Sequence, residues 1–393
     1  MIRKYHLEPI HLIAALSVAA LVVWSLPAQD AGGSRGEALQ WLKQARGAVQ
    51  AGDTTKARKL VAEAKSWGER QKDKLVTAWA DQMAGEMAFA DKDRDKAVTA
   101  FTSALDAFTE LKNEPGMAAC RLNLGRLLFA KGEPADALKH QQEALTHFEK
   151  SSRSAEAAAA QNDLASSLKA LGRVDEAKAA WGKALAAIRA ATPKQPAVEL
   201  RILGELAACF EATGAADQAR QHLTAAVALA ADLKDATEEA RLHNALGTLS
   251  HKQGNLDEAG KQYETALKLF GETKNTEAAE AATRNNLGAL LQDQGKPQAA
   301  LEELTKALKT QTQLGDSPGQ ARTLYNVALV HEGQGQEAKA IDAYEQALAL
   351  RRKSKDAPGT VKILDNLALL YASQGKADKA KECRDEAERL RQR

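Results

Sequence analysis

An all-α solenoid of nine helix hairpins is the fold class that this 393-residue sequence predicts, and three regularities predict it. Small residues recur as anchors at Ala45, Gly85, Gly125, Ala165, Ala207, Gly247, Gly288, Ala328 and Ala368, forty to forty-two residues apart. Seven residues after each anchor stands Gly52, Lys92, Gly132, Gly172, Gly214, Gly254, Gly295, Gly335 or Gly375, so one copy in nine lacks a turn glycine. Alanine then occupies two further columns in every copy: Ala57, Ala97, Ala137, Ala177, Ala219, Ala259, Ala300, Ala340 and Ala380, and Ala64, Ala104, Ala144, Ala184, Ala226, Ala266, Ala307, Ala347 and Ala387.

The stretch from Arg284 to Leu308 shows how one copy is built. A first helix carries Gly288 and ends at Gly295, and Pro297 opens the second, where its missing N–H and fixed φ cost nothing. The two alanine columns lie seven residues apart on the second helix, and therefore on one stripe of it. Methyl groups along that stripe let a neighbouring helix approach closely. Between them sits a larger residue, Val61, Phe101, Gln141, Trp181, Leu223, Tyr263, Leu304, Tyr344 or Arg384, which reads as the knob filling the space beside the small pair. Pro115-Gly116, Pro318-Gly319 and Pro358-Gly359 stand thirty residues after their anchors, where proline opens the next first helix.

These small-residue columns, the helix-ending glycine and the aromatic knob resemble the tetratricopeptide repeat, over about nine tenths of the chain. The resemblance implies a right-handed superhelix whose inner wall is formed by first helices and holds an extended peptide. The unit is longer than the usual one, and Glu69, Thr109, Glu149, Arg189, Ala231, Gly271, Thr312 or Arg352 stands where the family ends its second helix with proline. Second helices are therefore expected to run on by about a turn. The family's tryptophan is kept only as Trp41. The long variety is similar to the repeats of kinesin light chains and of scaffolds that orient the mitotic spindle, an analogy of architecture alone.

In chain order, residues 1–28 stand outside the repeat. Arg3 and Lys4 precede an apolar run from Ile10 to Leu26, interrupted by His11 and Ser17 and closed by Pro27. Three readings compete: an uncleaved single-pass anchor preceding the repeats as one hydrophobic helix, a secretory signal peptide, and a buried helix of the repeat fold. The run reaches the short end of a membrane span, while bulky Leu26 is poor at the outer small site of a signal cleavage after Ala28. The polar, glycine-rich residues 29–36 read as a linker, which disfavours the buried helix. Basic residues on the amino-terminal side then place the repeat region, 37–393, outside the cytoplasm. The expected location is a bacterial periplasm with the membrane entered through residues 10–26, or secretion after cleavage.

Composition restricts the partners. Lys+Arg 54 against Asp+Glu 52 leaves no field of one sign, so nucleic acid is disfavoured. Aromatic residues at 4% suit a rod of alanine-rich helices better than one large core. Cys120, Cys209 and Cys383 are odd in number and scattered, which does not indicate a disulfide framework. No Asn-x-Ser/Thr sequon occurs. The charged run from Lys376 onward, with Arg384 in place of the knob, reads as the polar end cap of a stacked array.

Chemistry-bearing motifs are few. There is no His-Glu-x-x-His, no Cys-x-x-Cys and no phosphate loop; Gly254 to Lys261 has only a superficial likeness to one, since no hydroxyl follows Lys261 and the repeat already explains Gly254 and Ala259. His140 and His147, seven apart on one helix face, lack an evident third metal ligand. His243, His251 and His331 fall at unrelated columns. No catalytic residue, metal or cofactor is expected, and an enzyme or ligand sensor with a site between repeats is the alternative.

Four columns of the first helix share one face: six before the anchor, two or three before it, one after it and four after it. They hold Arg201, Arg241, Arg322 and Lys362, and Asn123, Asn162, Asn244, Asn285, Asn286, Asn326 and Asn366. Asparagine offers donors and an acceptor to an extended backbone, and the cations offer charge-assisted bonds to carboxylates. By the resemblance, residues at such places clamp peptide main chain and acidic or terminal carboxylates. Asn capping or bridging neighbouring helices is the competing reading, and Glu205, Glu211, Glu332 and Asp365 temper the basic character. The expected function is a scaffold that binds an extended peptide or a partner protein.

Overall fold

A computed structural model describes residues 33–191 and 194–392. Eighteen α-helices and no strand occur among the described residues. They divide into two compact units, one ending at Phe210 and the other beginning at Glu211. The first contains α1 (Gly33–Gln50), α2 (Thr54–Gln71), α3 (Lys74–Ala90), α4 (Arg94–Glu110), α5 (Glu114–Lys131), α6 (Pro134–Lys150), α7 (Ser154–Ala170), α8 (Val174–Ala190) and most of α9 (Pro196–Ala212). The second contains α10 (Ala216–Asp232), α11 (Ala236–Lys252), α12 (Leu256–Gly271), α13 (Glu277–Asp293), α14 (Pro297–Gln313), α15 (Ser317–Gly333), α16 (Glu337–Lys353), α17 (Ala357–Ser373) and α18 (Ala377–Arg391). From α1 to α8 and from α10 to α18 each helix packs on the next in sequence, and alternate first helices touch, as with α3 on α5 and α13 on α15. Each unit is thus an array of stacked hairpins.

The turn column explains where first helices stop. All nine of its residues have positive φ, from 65° at Lys92 to 87° at Gly132, the left-handed conformation that ends an α-helix. A second left-handed column, which the glycine pattern does not reveal, joins seven of the second helices to the next hairpin: Lys72, Lys112, Ser152, Lys234, Asn275, Gly315 and Lys355. The residue after it often caps the following helix. Asp73 accepts from the Leu75 and Val76 amides at 3.0 and 3.2 Å, and Asn113, Asp316 and Asp356 accept from Gly116, Gly319 and Gly359 at 2.8, 2.9 and 3.0 Å. Pro115, Pro318 and Pro358 open these helices as expected.

Burial follows the columns. All eighteen alanines of the two fixed columns are fully buried, and so are all nine anchors or nearly so. The knob packs on the anchor of its own hairpin: a Cβ added to Gly85 would lie 2.8 Å from the Phe101 ring, one on Gly247 2.7 Å from Tyr263, and one on Gly288 2.6 Å from Leu304. Glycine is needed there because the knob already fills the place of a methyl group. Arg384, the last knob, is exposed, and its Nε donates to the Ala380 carbonyl at 3.2 Å. A charged helix therefore closes the array.

The N-terminal expectations are corrected. The hydrophobic run and its expected helix lie outside the described residues, and among those residues no helix is long and apolar enough to cross a membrane. The single-pass anchor, and the exported or periplasmic location inferred from it, are accordingly not retained. Helix α1 begins at Gly33, inside the stretch 29–36 read as linker.

Candidate functional site

The first helices α3, α5, α7 and α9 in unit 1, and α11, α13, α15 and α17 in unit 2, carry the expected face. In unit 2 its asparagines form a hydrogen-bonded ladder between consecutive first helices. Asn286 on α13 donates to Asn244 Oδ1 on α11 at 3.1 Å, and Asn326 on α15 donates to Asn285 Oδ1 on α13 at 2.9 Å. Asn285 is buried, where it also accepts from Thr323 at 3.1 Å; Asn244, Asn286 and Asn326 are half-buried. Asn366 on α17 donates to the hydroxyls of Tyr325 and Tyr344 at 3.2 and 2.8 Å, and Tyr344 donates to Glu332 at 2.8 Å. Burial first, then the Glu332 carboxylate, pushes the Tyr344 hydroxyl up, so it stays protonated and able to donate.

The basic column behaves differently from helix to helix. Lys362 is exposed with its ammonium 4.6 Å above the Tyr325 ring, a cation–π contact. Arg241 is exposed, 3.5 Å from Glu238, and Arg322 is half-buried on α15. Arg241, Arg322 and Lys362 are thus carried by first helices that also carry the amide ladder or, in α17, Asn366.

Unit 1 presents charge instead of amides. Asn123 and Asn162 are buried, and Asn162 accepts from the Trp181 indole N–H at 3.2 Å while donating to Asp163 at 3.2 Å. Asp163 in turn accepts from Arg126 Nε at 2.5 Å. Arg126 Nη1 is buried and has no hydrogen-bond partner among the described residues. Arg201 lies in the same cluster: burial lowers its guanidinium from the ordinary value, against Asp163 and Glu205, which raise it. Lys169 pairs with Glu205 at 2.6 Å. Arg126 and Arg201, both half-buried, thus flank the Asp163 carboxylate, and Arg126 Nη1 is the donor left over.

Arg126, Asp163 and Lys169 stand at one after, two before and four after their anchors, on columns already assigned to this face. Searching those columns for charge as well as amide would have found them. Among the described residues no three His, Cys, Asp or Glu side chains come together to hold a metal. His147 instead lies 3.3 Å from Glu114, and burial lowers His140 from its ordinary value. Burial pushes the Cys120 and Cys209 thiols up, away from the nucleophilic thiolate.

Hairpins repeated at this period, with knob on anchor and a polar first-helix face, define a helical-repeat protein. The tetratricopeptide repeat family model matches residues 76–150, 198–272, 238–313, 279–353 and 319–393, and the chain belongs to that family. No curated protein matches it. Among solved structures it is similar in fold to apo RapI, with TM-score 0.70 and 12% identity over 91% of this chain and 98% of that one. It is also similar to the apo quorum sensor NprR from B. thuringiensis, with TM-score 0.64 and 13% identity over 91% and 99%. A Rap protein complexed with competence and sporulation factor gives TM-score 0.51 and 15% identity over 91% and 98%.

Proposed function

We propose that this protein is an interaction scaffold whose first-helix face binds an extended peptide segment of a partner protein. The observation that carries this reading is the orphaned Arg126 Nη1 beside Arg201, on a face that continues the same columns into each first helix of unit 1. A buried unpaired donor costs about 1–3 kcal/mol, so its retention is better explained by a ligand than by stability. The partner group it suits is an acidic side chain or a terminal carboxylate, which forms parallel bonds with guanidinium.

The unit 2 ladder serves main chain. Each amide keeps hydrogen-bonding capacity beyond its bond to a neighbour, and the shared bonds pre-orient the row before a peptide arrives. Asn123, Asn162 and Asn285 act from beneath the surface, holding Trp181, Asp163 and Asn326 in place or packing under them, while Asn244, Asn286, Asn326, Asn366, Arg201, Arg241, Arg322 and Lys362 make the contacts. The structural likeness to a Rap protein solved with competence and sporulation factor supports a binding role for this fold.

The test is affinity capture with the full chain as bait, followed by titration of the captured partner. Arg126→Ala and the double variant Asn286→Ala with Arg322→Ala are expected to weaken binding at least tenfold, about 1.4 kcal/mol or more. Circular dichroism should show both variants folded. Equal affinity of wild type and variants would remove this face from the binding site.

A further inference from the structure

Unit 1 has an opening that the first-helix face does not use. It lies over α7, between the second helices α6 and α8, and encloses about 480 Å3. Two small residues border it. Fourteen and fifteen residues after the anchor, α8 carries Ala179 and Ala180, and no other copy has two alanines at those places. The missing side chains leave a trough floored by Leu138, Leu164 and Leu168.

Two further features concern what it would hold. Gln161 lines the trough, is only 8% exposed, and makes no hydrogen bond among the described residues. Its side-chain amide reaches the open trough and can donate to a polar atom arriving there. Lys139 on α6 and Lys183 on α8 both line the trough. Lys139 reaches Asp136 at 3.1 Å, whereas Lys183 forms no ion pair among the described residues. At one end Arg173 and Glu176 neutralise each other through two bonds of 2.7 Å. The lining therefore has three cations to one carboxylate around a hydrocarbon floor.

We propose that this trough binds a small apolar carboxylate, such as a medium-chain fatty-acid anion, with the tail on the leucines and the carboxylate between Lys183, Lys139 and the Gln161 amide. The site is separate from the first-helix face and does not depend on it. A trough open to water on one side accepts a flexible chain, and the exposed ammonium groups attract its head group without needing full desolvation.

The test is displacement of 8-anilinonaphthalene-1-sulfonate fluorescence from the full chain by decanoate, with decanol as the uncharged control. Wild type is expected to bind decanoate saturably at one site. Ala179→Trp, which fills the trough from an exposed position, is expected to abolish this, and Ala179→Leu to weaken it. Lys183→Glu is expected to weaken decanoate about tenfold while leaving decanol unchanged. Asn286→Ala should leave decanoate binding intact, which separates this site from the peptide face. Absence of saturable decanoate binding, wild-type affinity in Ala179→Trp, or equal binding of decanol and decanoate would overturn the proposal.

Discussion

Lys92 occupies a place that glycine holds in the other eight copies, and it adopts the same left-handed conformation with φ 65°. A side chain in that region costs about 1–2 kcal/mol, partly offset because glycine loses more freedom on folding. Lys92→Gly is therefore expected to stabilise the protein by roughly 0.5–1 kcal/mol, read as a higher urea midpoint. The anchor glycines carry the opposite lesson. Gly85→Ala forces a methyl group into the Phe101 ring and is expected to destabilise by about 1–3 kcal/mol. Combining it with Phe101→Leu should recover part of the loss, and a strictly additive double variant would refute the knob-on-anchor contact. Ala300→Leu falls in the same range, because Ala300 is fully buried. The alanine columns and the anchors were legible in sequence because a small residue recurs at a fixed offset, and the knobs because they fall between the two alanines. The second left-handed column was not, because lysine, serine, asparagine and glycine all occupy it.

Between α13 and α14 the charged groups act as a unit. Arg284 donates to Glu303 at 2.8 Å and to Glu280 at 2.7 Å, and Lys306 donates to Glu303 at 2.6 Å. Burial opposes ionisation of Glu303, but hydrogen bonds from Lys306 and Arg284 outweigh it and hold the carboxyl below its usual value of 4.5. A carboxylate depressed on folding stabilises above its unfolded pKa, and that contribution is lost as pH falls through the folded one. Glu303→Gln is thus expected to lower the urea midpoint at pH 7 by more than at pH 3, and a gap independent of pH would exclude this pairing as a source of stability. The helix faces that carry the candidate site were legible from helical spacing. What each side chain does there was not: Asn123 and Asn286 both stand two before their anchors, yet the first is buried and the second lies half-buried across from Asn244.

In an array where each hairpin touches only its neighbours, stability is a sum of local and nearest-neighbour terms. Gly288→Ala is accordingly expected to raise amide exchange most in α13 and α14, less in α11, α12, α15 and α16, and least in α17 and α18. Uniform acceleration through unit 2 would show long-range cooperativity instead. The apolar run near the amino terminus illustrates the limit of composition as a guide, since its anchor reading rested on hydropathy and charge alone and no described helix supports a membrane span. By itself the sequence determined the repeat period, the helix pairs, the turn positions and the buried columns, because those follow from local backbone preference and from the same small contact repeated in every copy. Only the tertiary structure decided the Asp163 cluster, the amide ladder and the trough over α7, because these depend on side chains about forty residues apart meeting across neighbouring helices, where no spacing rule within one helix reaches.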